Sequence, residues 1–292
     1  MPSIEEILGV VIVAFFLSLI LTWLIYNYNF NPLDINITLP DVQVVNISSV
    51  VMSVIRPTWI ITPHQGEPEK TGPKENTFEY LLRGSVGYIN FTVYKGVNDY
   101  FAGLPREYQY YGIPPSDRDL ELIFIDDEKQ RKYIKQLVEI IKSKTNNSDD
   151  QVRIAVSLVQ LIPYDWEGYY NGSIKNRYPY QVLYEDKGVC EEKSRLLAAI
   201  LKELGYGVAL FKFEPENHMA VGIKCPIQYS YYNSGYCFIE TTRPTLITDS
   251  QESYIGVGQL RSVPEIIEIS DGKSFDSVAE EYAYTHYAYA HT

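Results

Sequence analysis

The chain lacks most of the features that would assign a chemistry at once. It has three cysteines and four histidines in 292 residues, with no C-x-x-C pair and no His/Cys spacing suited to zinc, which excludes a disulfide scaffold and a zinc module. No glycine-rich loop of the phosphate-cradling kind occurs. Basic charge is scarce: 25 Lys and Arg stand against 37 Asp and Glu, and no Lys/Arg run exceeds two neighbours. A nucleic-acid partner bound by phosphate neutralisation is therefore excluded. Neither a metal nor an organic cofactor is expected.

What is present is the composition of a folded protein, 46% hydrophobic and 21% charged, with material for one large or two modest domains. The N-terminus stands apart. Residues 7–26, ILGVVIVAFFLSLILTWLIY, carry no charge, and at about 1.5 Å per residue they match the thickness of a bilayer core. Trp23, Tyr26, Tyr28 and Phe30 gather at the far end, where aromatic rings prefer the headgroup level. The run is longer than a signal-peptide core and has neither a basic leader nor an A-x-A-like site, so an uncleaved anchor is expected. No Lys or Arg flanks it before Arg56, which leaves the positive-inside rule nothing to count. Five N-glycosylation sequons, at Asn36, Asn46, Asn90, Asn146 and Asn171, favour a single-pass protein of the cell membrane whose remainder faces outside.

Beyond the anchor (1–30), residues 31–75 read as a stalk ending in the Pro/Gly/charge linker TPHQGEPEKTGPKEN. Residues 76–120 form a β-rich region. Here FEYLLRGSVGYINFTVYKG alternates about Arg83-Gly84-Ser85 as a hairpin, with Phe78, Tyr80 and Leu82 on one face and Ile89, Phe91 and Val93 on one face of the return strand. A short helix, VNDYFAGL, and a Pro-broken loop to about Asp119 follow. From Asp126 the period is helical, with Tyr133, Leu137, Ile140 and Ile141 on one stripe, and a second helix opens at the cap Ser148. After the loop PYDWEGYYNGSIKNRYPY a third helix begins at Cys190 and ends at Gly205 as its C′ residue. Three short strands, GVALFKF, HMAVGIKC and YCFIETT, complete an α+β domain over 121–270. The Tyr-rich tail 271–292 has no assignment.

A cysteine at a helix start occupies the backbone setting that favours its thiolate, and a cysteine nucleophile needs a base with a group to orient it. His286 and His291 lie in the tail and His64 in the linker, which leaves His218 in the periodic core. Glu240 is an acid in an apolar strand, costly unless paired. Both occupy even positions on strands joined by a hairpin, so a register that sets one opposite the other puts them on one face. Glu191 and Glu192 suit the positive helix end but oppose a neighbouring thiolate, with Lys187 and Lys193 offsetting them in part. Oxyanion stabilisation falls to the Cys190 amide with Gln181 or Tyr164 as a side-chain donor.

Cys225 and Cys237 flank one hairpin, and an oxidising exterior favours joining them. Pairing His218 with Glu240 places Cys237 opposite Val221, however, four residues or about 13 Å along the strand from Cys225, unless a bulge or a turn at Pro226 intervenes. The bridge stays open on that conflict.

Gly188-Val-Cys190 opening a helix, His218 at a strand start and an acid in the next strand resemble the transglutaminase-like superfamily of papain-like cysteine enzymes. The likeness spans about residues 150–260, with VRIAVSLVQLIPYD as the preceding helix and YIGVG after the acid, and is greatest to the membrane-anchored or secreted prokaryotic branch, archaeal in particular. It implies a papain-like core, Cys190 as nucleophile, His218 as general base and acid, and Glu240 as the orienting group where the superfamily usually has Asp. It further implies hydrolysis or transfer at an amide bond in a protein, peptide or cell-envelope substrate. The alternative is an envelope binding module that keeps the fold without the chemistry and binds through tyrosines, of which the chain has 26.

Overall fold

Hydrophobic runs of period two and of period 3.6 follow one another along the chain, and in the computed structural model they become strands and helices in that order. The structure describes residues 66–106, 110, 114–250, 253–254 and 258–290. Residues 60–109 and 115–292 form one unit; a second comprises 1–59 and 110–114, of which only Tyr110 and Pro114 are described. The expected anchor, the stalk to residue 65, Asn36 and Asn46 lie outside the described residues. Among the described residues no helix is long and apolar enough to cross a membrane.

Strands β1 (Pro73–Leu82) and β2 (Ser85–Tyr94) pair antiparallel with Leu82 opposite Ser85. Arg83 (φ 50°) and Gly84 (φ 78°) between them adopt the two positive φ values of a tight primed turn. Phe78, Ile89, Phe91 and Val93 are buried on one face. β1 begins inside the segment expected to be linker, and Asn76 ties it to the carbonyl of Leu183 at 2.6 Å.

Helix α1 (Lys95–Ala102) follows directly. Helix α2 (Asp117–Ile125) starts in the last residues of the expected loop and fills a stretch for which the sequence shows no period, opened by a capping box between Ser116 and Asp119. In α3 (Glu128–Lys144) the buried stripe is Tyr133, Ile134, Leu137, Val138 and Ile141; Ile140 lies at its margin. The cap of α4 (Ser148–Leu161) is Asn147 and not Ser148: its Oδ1 accepts from the amides of Asp149 and Asp150. The loop before Cys190 holds two short helices, α5 (Trp166–Tyr170) and α6 (Pro179–Glu185). Helix α7 (Cys190–Glu203) ends as expected, with Gly205 at φ 87°.

A four-stranded antiparallel sheet in the order β5-β4-β3-β8 closes the fold, formed by β3 (Val208–Phe213), β4 (His218–Lys224), β5 (Tyr236–Ile239) and, on the far edge, β8 (Glu265–Ser270). A minimal pair, β6 (Ser253–Tyr254) with β7 (Gly258–Gln259), lies between β5 and β8 in sequence. Met219, Val221 and Ile223 belong to the main core, on the sheet that α7 packs against, while Phe211, Phe213, Ala220 and Phe238 build a second, largely aromatic cluster. The fold is α+β with antiparallel sheets. The tail forms helix α8 (Ala279–Ala290), docked through a 2.6 Å ion pair from Arg153 to Glu281.

The register differs from expectation by two residues. Val221 pairs with Ile239 and Ile223 with Cys237, and β5 ends at Ile239, so Glu240 is the first residue past the strand. A slip of two preserves the face of every side chain, so His218 and Glu240 still meet. It also brings Cys237 within reach of Cys225, which lies just past β4: the two form a disulfide with Cα atoms 5.7 Å apart.

Candidate active site

Backbone pairing creates the site. Residues 163–165 run beside Gly188: its amide donates to Pro163 O at 3.2 Å and its carbonyl accepts from Asp165 N at 3.2 Å. A Cβ at 188 would stand 3.3 Å from Lys193 Cγ and 3.4 Å from Glu192 Cβ, which favours glycine at this close approach. Two residues on, Cys190 opens α7, its free thiol half-buried at the positive end of the helix.

His218 is placed by a four-residue turn. Phe213 pairs with His218, Asn217 N donates to Glu214 O at 3.1 Å, and Asn217 takes φ 48°, a conformation asparagine tolerates. The imidazole is buried with its Nε2 2.9 Å from Glu240 Oε2. Glu240 is fully buried, and its Oε1 accepts from the amides of Thr241 (3.0 Å) and Thr242 (2.8 Å) and from the Thr242 hydroxyl (2.6 Å). Its main-chain carbonyl accepts from Gln160 Nε2 at 2.9 Å. Side chain and backbone are therefore both held, and the extra methylene of Glu still reaches the ring.

Burial pushes the His218 pKa down, but hydrogen bonds to the Cys190 thiol and to Glu240 outweigh it and raise it to about 10. The ring is an imidazolium at neutral pH. Burial likewise pushes the Glu240 carboxyl up, and His218 with Thr242 brings it below the usual carboxylate range. With Nε2 on Glu240, Nδ1 is the nitrogen left to serve the thiol.

Tyr164 and Gln181 separate. Tyr164 lines the cleft beside Cys190, and burial first, the charge of the thiol second, holds its pKa above the ordinary phenol value. Gln181 does not reach the cleft. It closes the start of α6, its Oε1 accepting from Arg106 Nη2 (2.8 Å) and Tyr178 N (3.2 Å).

The two acids beside Cys190 are already paired. Glu192 takes Arg177 Nη1 at 2.8 Å, Arg177 N at 2.7 Å and Val189 N at 3.0 Å, while Glu191 pairs with Arg195, which also grips Glu121 at 2.6 Å. Their opposition to a thiolate is thus largely neutralised. Lys193 does interact with the Cys190 charge, as expected, but both lysines are engaged elsewhere. Lys187 pairs with Asp165, and Lys193 is fully buried, donating to the carbonyls of Gln160 (3.2 Å) and Ile162 (2.6 Å) at the end of α4. Burial lowers the Lys193 pKa to about 7, although the charges of Glu240 and Cys190 act to raise it.

Cys190 opens on a cleft of about 360 Å³ whose walls include Tyr164, Tyr169, Phe124, Ile174 and Lys212. Among the described residues no group of three or more His, Cys, Asp or Glu stands together as a metal site. Sequence inspection missed Arg177 and the buried setting of Lys193. The available signal was their position: a lone arginine in a Tyr-rich loop, and a lysine one turn after the nucleophile in an apolar helix.

No protein-family model and no curated protein matches the chain. Two solved structures are similar to it. One, from Parabacteroides distasonis and assigned as a protease, is 14% identical with a TM-score of 0.31, over 70% of this chain and 43% of that one. The other, a TGase, is 16% identical with a TM-score of 0.30, over 71% and 49%. The matched region is less than half the length of either.

Proposed function

We propose that this chain is a transglutaminase-like thiol enzyme that opens amide bonds through an acyl-enzyme on Cys190. The observation that carries this is the Cys190–His218–Glu240 constellation: a half-buried thiol at a helix N-terminus in one cleft with an imidazole whose Nε2 is 2.9 Å from a buried carboxylate. The Cys190 sulfur attacks the amide carbonyl carbon, and the tetrahedral oxyanion is met by the Cys190 amide and the Tyr164 hydroxyl. His218 protonates the leaving amine as the C–N bond breaks. Water then adds to the thioester, its proton passes to His218, and the carboxylic acid product leaves as the thiolate is restored. Glu240 keeps the imidazole in place through both steps.

Hydrolysis is favoured over transfer because water needs no acceptor pocket of its own. The substrate is a peptide, protein or envelope amide. A membrane anchor and an outward-facing domain belong to the same proposal. They are supported by the uncharged run 7–26, by exposed sequon asparagines at 90, 146 and 171, and by a disulfide between Cys225 and Cys237.

The test is acylation by p-nitrophenyl acetate, in which an S–acetyl bond forms on Cys190 and p-nitrophenolate leaves. A burst of about one equivalent in wild type, absent in Cys190→Ser, is expected. An equal burst in both proteins would refute the assignment.

A further inference from the structure

Resting on that assignment, we propose that Arg177 is a positioning residue that locks the Tyr164 hydroxyl against the nucleophile. Arg177 is fully buried and belongs to none of the acid–base steps, yet it joins the two segments on which the oxyanion donors ride. On one side Nη2 donates to Asp165 Oδ2 at 2.7 Å, and Asp165 is the residue after Tyr164. On the other, Nη1 and the backbone amide bind the two oxygens of Glu192 at 2.8 and 2.7 Å, and Glu192 in turn takes the amide of Val189, the residue before Cys190. A third arm, from Nε and Nη2 to Glu185 Oε2 at 3.0 and 2.9 Å, runs to the end of α6 and touches neither segment.

The surrounding bonds make this a directional device. Asp165 also caps α5, its Oδ1 accepting from Gly168 N (3.2 Å), and it pairs with Lys187 at 3.0 Å. Its side chain is therefore fixed from three directions, and with it the backbone that carries Tyr164. Burial pushes the Asp165 carboxyl up, but Lys187 and Arg177 bring it down to about 2, so it remains charged throughout the neutral range. Arg177, Lys187 and Lys175 balance Asp165, Glu185 and Glu192, which limits the cost of burying the cluster. The planar fork of a guanidinium can hold several carboxylates in one geometry, whereas a lysine ammonium cannot fix them in the same way.

The arms can be tested separately in the full chain. Asp165→Asn weakens the arm to Tyr164 while keeping an oxygen for the α5 cap; Glu185→Gln weakens the arm that leads away. Two probes read each variant: the p-nitrophenyl acetate burst, which forms an oxyanion, and iodoacetamide alkylation of native Cys190, which does not. Asp165→Asn is expected to slow the burst on the order of tenfold, as a small misplacement of a donor does, with alkylation unchanged. Glu185→Gln is expected to change neither. In a Tyr164→Phe background Asp165→Asn should add no further loss, since the group it positions is gone. Arg177→Lys should behave like Asp165→Asn. The proposal is overturned if Asp165→Asn and Glu185→Gln slow the burst alike, if burst and alkylation fall together, or if Asp165→Asn costs the same factor without the Tyr164 hydroxyl. A wild type inert to both probes would instead overturn the thiol-enzyme assignment, and this proposal with it.

Discussion

Glu240 Oε2 lies 2.9 Å from His218 Nε2, and both side chains are buried, so each offsets the cost of burying the other's charge. Glu240→Gln tests that dependence. Thr241 and Thr242 would still donate to the amide oxygen, which turns the amide nitrogen toward the ring and forces Nε2 to accept. Nδ1 then carries the only ring proton, and the imidazolium that balances a Cys190 thiolate is no longer stabilised. Acylation is expected to fall on the order of a hundredfold or more, by the tautomer logic of orienting carboxylates. The p-nitrophenolate burst rate measures it. An unchanged rate would remove Glu240 from the mechanism.

The same pair makes stability depend on pH. The folded His218 pKa is raised from 6.5 to about 10, so the folded state holds a proton that the unfolded chain gives up earlier. The resulting stabilisation is full below about pH 6.5 and is lost as pH rises through about 10. Urea unfolding of wild type against Glu240→Gln at pH 6, 8 and 10 should therefore show a difference that shrinks across the series. A difference that grows would contradict the assigned direction.

Lys193 works with the opposite sign. Its folded pKa is lowered from 10.5 to about 7, so unfolding takes up a proton between those values and stability gained from this group rises with pH there. At pH 9 the buried amine is largely neutral and still serves two carbonyls, and Lys193→Met would leave Gln160 O and Ile162 O without that donor. A loss of about 1–3 kcal/mol is expected at that pH, shrinking toward pH 7, by chemical denaturation.

The site was legible where chemistry and periodicity coincided. Cys190 announced itself by its place at a helix start, and His218 and Glu240 by shared parity. Parity, however, specifies a face and not a partner, so the register was misjudged by two residues and the bridge between Cys225 and Cys237 looked too long. The Arg83-Gly84 turn was readable because two residues between alternating strands leave few backbone solutions. Helices α2, α5 and α6, of nine, five and seven residues, were not, since each is too short to show a period and is held by tertiary contacts. Arg177 was illegible for another reason. Its partners are 12, 8 and 15 positions away, and no local pattern announces an ion pair across a loop. Gln181 had a plausible type and neighbourhood, but its carbonyl oxygen is engaged at the start of α6.

The account rests on Cys190 being activated by His218, and alkylation of the native full chain by iodoacetamide tests this most directly. The rate should be followed from pH 5 to 9 in wild type and His218→Ala, with the modified residue identified by mass spectrometry. Wild-type Cys190 should react readily at pH 6, where an ordinary thiol hardly does, and removal of His218 should slow that reaction by at least about tenfold while the fold is retained. A Cys190 that is inert in the folded wild type, or that reacts equally fast without His218, would contradict the account.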